Sequence, residues 1–123
     1  MKVVKQIQRE IITVDGENKS LGRLAVEVAV LLRGKNKPSY VGYKDVGDTV
    51  MVKNIDKMKF TGNKLENKKY FHFTGYLGNL KTKTLKEFLI KSGPKEVLRN
   101  AVMGMLQKNK LRARQIKRLK FEK

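Results

Sequence analysis

Eight basic residues crowd the stretch from Lys108 to Lys123: Lys108, Lys110, Arg112, Arg114, Lys117, Arg118, Lys120 and Lys123, against one acid, Glu122. Side chains of this type, set densely along a segment with few apolar residues, do one kind of chemistry: they neutralise a polyanion. The rest of the chain shares the bias, with 29 Lys and Arg against 11 Asp and Glu and a formal charge of +18 over 123 residues. A compact chain so charged repels itself unless a polyanion relieves it. Nucleic acid fits the role, because each Lys or Arg placed on a phosphate releases condensed counterions.

Catalytic chemistry has little to work with. The absence of cysteine removes disulfides, thiolate metal sites and a thiol nucleophile together. One histidine, His72, cannot build a histidine metal centre, and the sparse carboxylates form no marked acid–base couple. Gly42-Tyr43-Lys44-Asp45-Val46-Gly47-Asp48-Thr49 imitates a phosphate-binding loop but carries Asp48 where that loop needs a lysine. It reads as a turn before a strand. Gly75-Tyr76-Leu77-Gly78 matches the GXXG pattern that clamps an RNA backbone, although it follows a strand rather than joining two helices. Flanked by Tyr70, Phe71, Phe73 and Lys81, it suits close approach to a sugar–phosphate chain, and structural turn and RNA contact are both open for it. No cofactor, metal or small-molecule substrate is expected.

The elements that must position these residues follow from periodicity. Ile11-Ile12-Thr13-Val14 is a β-branched run ending at the turn pair Asp15-Gly16. Ser20 offers a helix N-cap, and Leu21, Leu24, Ala25, Val28, Ala29 and Leu32 follow at helical spacing until Gly34 stops them. Arg23 and Glu27, four apart, can pair on the outer face. Val50-Met51-Val52, Met58-Lys59-Phe60 and Tyr70-Phe71-His72-Phe73 are three further strand candidates. Thr84 to Glu87 has capping-box spacing, and Pro94 suits the first turn of a second long helix, with Val97, Leu98, Ala101, Val102, Met105 and Leu106 as its apolar face. Together they predict one α/β domain with three layers around a small, mostly parallel sheet. Residues 81–123 carry the larger charge excess, so the expected division is a folded body over 1–107 and a basic extension over 108–123 that orders on RNA. The longest apolar stretch is far short of a membrane span and the first residues lack a secretory apolar core, so a soluble intracellular protein with no membrane partner is expected.

Seven segments in register carry a resemblance. They are Ser20-Leu21-Gly22-Arg23-Leu24-Ala25, Leu32-Arg33-Gly34-Lys35-Asn36-Lys37, Gly47-Asp48, Asn54-Ile55-Asp56-Lys57, Thr61-Gly62-Asn63-Lys64, His72-Phe73-Thr74-Gly75-Tyr76 and Ala101-Val102-Met103-Gly104-Met105-Leu106, the last leading to Lys117-Arg118-Leu119-Lys120. Their order and spacing resemble the universal large-subunit ribosomal protein L-thirteen family in its bacterial form, from about Ile11 to Lys120. Phe73 stands where members often have a second histidine, and Gln107 to Lys110 where they often have proline and glycine. The resemblance implies an α/β/α sandwich around a four-stranded parallel sheet. It also implies a cytoplasmic structural protein of the large subunit that binds its ribosomal RNA, neighbours other large-subunit proteins and supports early assembly. The RNA-facing positions it implies are Arg23; Arg33, Lys35 and Lys37; Thr61, Asn63 and Lys64; His72, Gly75 and Tyr76; and Lys108, Lys110, Arg112, Arg114, Lys117, Arg118 and Lys120 at the basic end. A free RNA-binding module or translation regulator is the competing reading, since the same basic surface would serve it.

Overall fold

A computed structural model describes residues 9–122. The chain runs β1 (Ile11–Asp15), α1 (Leu21–Arg33), β2 (Thr49–Lys53), a single 3₁₀ turn (Ile55–Lys57), α2 (Lys64–Asn67), β3 (Lys69–Phe73), β4 (Leu80–Thr84), α3 (Leu85–Met105), α4 (Leu111–Ile116) and β5 (Leu119–Phe121). It is mixed α/β with a parallel sheet, as the sequence predicts.

The sheet has three strands, not four, in the order β1-β2-β5. Ile11 to Asp15 lie opposite Thr49 to Lys53, and Val50, Met51 and Val52 lie opposite Leu119, Lys120 and Phe121, all parallel. Two expected strands are absent from it. Met58-Lys59-Phe60 makes only an isolated parallel bridge from Lys59 to Ser20, because the 3₁₀ turn just before it swings the chain off the sheet. Tyr70 to Phe73 is a strand, but it pairs antiparallel with β4 in a separate hairpin.

The third strand comes from the segment read as an extension. Eight cations in sixteen residues point to a tail, but Leu119 is 3% exposed on the core side of β5 and Gln115 is buried in α4. Leu119 in the core, with Ile116 and Phe121 packed against it, suffices when the body supplies the rest, and residues 111–121 are thus built into the fold.

Alternation along the strands shows one packed sheet face. Val14, Val50, Val52 and Leu119 are buried, while Ile11, Thr13 and Lys120 between them are exposed and Met51 is half-buried. Helices α1 and α3 pack against each other and share one core with that face, through Leu24, Val28 and Leu32 on α1 and Leu98 and Val102 on α3. Both helices and the packed sheet face thus belong to one core. Thr84 caps α3, its hydroxyl accepting the Glu87 N–H at 3.3 Å as the capping-box spacing predicts. The helix breaks at Gly93, whose φ of 84° interrupts it where Pro94 opens the second half.

Gly34 ends α1 in the left-handed conformation, φ 79°, and its N–H returns to the carbonyls of Val30 and Leu31. Gly47 packs against the same helix end: a Cβ there would lie 1.7 Å from the Leu32 carbonyl oxygen. Only a residue without a side chain lets the 46–48 segment close over α1.

Candidate nucleic-acid interface

The carboxyl end of α1 needs positive partners, because its last carbonyls lack helical donors and carry the negative end of the dipole. Arg118 supplies them. Its Nη2 donates to the Leu32 carbonyl at 2.8 Å, and its Nη1 and Nη2 donate to Asp45 Oδ2 and Oδ1 at 2.6 and 2.7 Å. Arg9 joins the cluster through the Gly47 and Asp45 carbonyls at 2.6 and 3.0 Å. Lys37 Nζ lies 2.6 Å from Asp48 Oδ1 and donates to the Val46 carbonyl at 2.8 Å, while Asp48, 2% exposed, also accepts the Glu10 N–H. This cluster ties both ends of the chain to the loop after α1. It shows why the phosphate-loop imitation fails: Asp48 is an internal anchor.

Two expected RNA-facing residues are therefore committed to the fold. Arg118 and Lys37 face carboxylates, not solvent. Arg33 is half-buried and donates to the Tyr40 hydroxyl at 3.3 Å, leaving Lys35 as the exposed cation of that loop.

The opposite end of α1 is different. Ser20 occupies the N-cap position but its side chain makes no capping bond, and the first turn has no acid. The Leu21 N–H is taken by the Lys59 carbonyl at 3.3 Å, and the positive dipole end of the helix, at Gly22 and Arg23, borders a groove of about 790 Å³ whose lining also includes Ser20, Lys19, Lys59, Thr61 and Lys64. Glu27 takes Lys19 as its partner at 2.9 Å rather than Arg23, so Arg23 keeps its charge for a ligand. Three predicted residues, Arg23, Thr61 and Lys64, meet here. Asn63 is exposed at the N-cap of α2, beside them in sequence. The sequence reading missed Lys19 and Lys59, which reach the groove through the Ser20–Lys59 bridge, a contact without a periodic signature.

The hairpin carries the third group. His72 lies opposite Lys81, and Gly75 (φ 91°) and Gly78 (φ 81°) shape the connecting loop around an exposed Tyr76. Phe71 and Phe73 are exposed as well, at 65% and 60%. Near the basic end, Lys108, Lys110, Arg114, Lys117 and Lys120 are exposed and Arg112 is half-buried. Among the described residues seven ion pairs are made, against 26 Lys and Arg in the same residues. Most basic side chains among the described residues therefore have no carboxylate to answer them. No group of His, Cys, Asp and Glu capable of holding a metal occurs among the described residues, and no helix there is long and apolar enough to cross a membrane.

Residues 9–121 match the family model described as ribosomal protein L13. The chain belongs to the ribosomal protein L13 family. Among its relatives, the large ribosomal subunit protein uL13 of Rubrobacter xylanophilus is 48% identical over 94% of this chain and 80% of its own length. The protein of the same name from Geobacter sulfurreducens is 46% identical over 98% of this chain and 87% of its own. That of Helicobacter pylori strain Shi470 is 49% identical over 95% and 82%. Family membership thus spans the committed cluster around Arg118 and Asp48 as well as the groove and the hairpin.

Proposed function

We propose that this protein is a structural, non-enzymatic constituent of the large ribosomal subunit, where it binds large-subunit ribosomal RNA, neighbours other large-subunit proteins and supports early subunit assembly. Its relatives carry the name of a large-subunit protein, and the observation that carries the RNA-binding reading is the groove at the amino end of α1. There a positive helix end and the side chains of Arg23, Lys59 and Lys64 converge with one carboxylate, Glu27, already held by Lys19. Such a site takes phosphates. The exposed lysines of the basic end and the aromatic hairpin enlarge the surface, the first for phosphates and the second for stacked bases. The internal role of Arg118 and Lys37 narrows the proposed contacts to Arg23, Arg33, Lys35, Thr61, Asn63, Lys64, His72, Gly75, Tyr76, Lys108, Lys110, Arg112, Arg114, Lys117 and Lys120.

The test is the affinity of the full chain for a large-subunit ribosomal RNA fragment, measured over a range of salt. A steep linear fall of log K against log salt is expected, with about 0.7–0.9 of slope for each phosphate neutralised. A flat dependence would remove the phosphate-binding reading.

A further inference from the structure

Three cavities adjoin one another on the surface that carries the α1 groove. The first, already described, shares Gly22, Lys64 and Met105 with a second of about 380 Å³. The second shares Tyr70 and Asn100 with a third of about 480 Å³, between the hairpin and α3. The shared residues join them into one furrow. Its near end is cationic (Arg23, Lys59), its middle is apolar with Lys64 and Lys68 at the rim, and its far end is cationic again.

The far end has its own chemistry. Lys81 and Lys83 alternate on one face of β4, opposite His72 and Tyr70 of β3. Lys91 of α3 lines the same cavity as Lys81 and Lys83, and its charge acts on the Lys83 ammonium. None of the three forms an ion pair among the described residues, and Glu87 is the one acid near enough to offset them. Three cations lining one cavity, with no ion pair to any of them, are an electrostatic arrangement that one phosphate would complete. The contact with Lys91, and then the charges of Lys91 and Lys81, hold the Lys83 ammonium below its ordinary pKa. In the middle of the furrow Tyr70 is stacked on Phe88 at 4.9 Å, a fixed aromatic surface beside the path.

We infer that the furrow holds one sugar–phosphate strand of RNA end to end, with a phosphodiester at Arg23 and Lys59, the apolar middle under the bases, and a second phosphodiester between Lys83 and Lys91. This rests on the RNA-binding reading above and adds to it a second phosphate site and a direction of travel. Of Lys81, Lys83 and Lys91, only Lys81 enters the sequence reading, as a flank of the Gly75–Gly78 loop. The alternation Lys81-Thr82-Lys83-Thr84 held a signal for two of them, but Lys91 joins only through the fold.

The experiment uses the full chain, wild type and Lys83→Gln/Lys91→Gln, with a large-subunit ribosomal RNA fragment. Two quantities are read: the slope of log K against log salt, and the titration of Lys83 followed by NMR at its side-chain carbon next to nitrogen, free and bound. The expected results are a slope lower by about 0.7–0.9 in the variant, one phosphate's worth, and an upward move of the Lys83 titration when RNA binds. Neither lysine forms an ion pair among the described residues, so the variant keeps its circular dichroism and thermal midpoint. Tight wild-type binding with an unchanged slope and an unmoved Lys83 would overturn the second site and leave the first intact. Absence of wild-type binding would overturn both.

Discussion

Arg118 and Asp45, 73 residues apart in sequence, are joined by two hydrogen bonds of 2.6 and 2.7 Å, and the same guanidinium reaches the Leu32 carbonyl at the end of α1. A planar fork can do this and a lysine cannot, since one donor would be lost at the carboxylate or at the helix end. The side chains are 13% and 12% exposed, so the pair is shielded from solvent and salt. Replacing Arg118 by Gln leaves Asp45 with only the longer ion pair to Arg9, at 3.7 Å, and should cost about 3 kcal/mol, the low end for breaking a buried pair. Chemical denaturation gives that number. Arg118→Lys should recover part of it, whereas Lys117→Gln, at an exposed neighbour, should change stability by no more than about 0.5 kcal/mol.

Lys37 answers Asp48 in the same way. Lys37→Gln alone should destabilise by roughly 2–3 kcal/mol, because Asp48 stays buried with only the Glu10 N–H and no cation. Lys35→Gln, two residues earlier and exposed, should leave the thermal midpoint unchanged and lower RNA affinity. The pair of variants separates a folding cation from a binding one within a single loop.

Gly47 should tolerate no side chain. A methyl group would meet the Leu32 carbonyl at 1.7 Å and force the loop off α1, taking the Arg118 and Asp48 contacts with it. Gly47→Ala should therefore lose about 3 kcal/mol or more, at the upper end of overpacking costs, and its unfolding midpoint in denaturant is the check.

Asp15 gives a pH dependence with a definite sign. Its Oδ1 accepts the Glu17 N–H at 2.9 Å and the Asn54 side-chain amide at 3.1 Å, and these bonds hold the carboxyl below its usual 3.8. A depressed folded value means the contribution is fully present above about pH 3.8 and fades as pH falls through the folded value. Asp15→Asn should be less stable than wild type near neutrality, and the gap should close on acidification. A gap independent of pH would assign the effect to packing.

The sequence made some of this legible and hid the rest for identifiable reasons. Helix α1 was readable because Leu24, Val28 and Leu32 repeat at helical spacing and Gly34 needs a positive φ; the Thr84 cap and the Pro94 restart were local signals too. The sheet was harder. β5 is three residues long inside a run of cations, and its hydrophobic pattern is too short to outweigh the charge, so Leu119 and Phe121 read as a tail. Tyr70 to Phe73 had the right period, but period does not say which strand is the partner. The site divides in the same manner. Arg23 and Lys64 were legible as cations, whereas Arg118 and Lys37 were equally cationic and turned inward, because burial against Asp45 and Asp48 is a property of the fold and not of the residue.

The groove variants follow from the interface. Arg23→Gln and Lys64→Gln should each lower the salt slope of RNA binding by about 0.7–0.9 and weaken binding to all RNA sequences alike, as phosphate contacts do. Neither should move the thermal midpoint, since neither residue forms an ion pair among the described residues. A variant that lost affinity for one RNA sequence only would place a base, not a phosphate, at that position.

The central claim is that this chain is a structural part of the large ribosomal subunit, and sedimentation tests it most directly. Lysate from cells expressing the tagged full chain would be resolved on a sucrose gradient at moderate and at high salt, and the chain quantified against large-subunit RNA. The prediction is co-sedimentation with the large subunit at one copy per particle, retained at high salt. Recovery at the top of the gradient, or on RNA in amounts unrelated to the large subunit, would contradict it and favour a free RNA-binding protein.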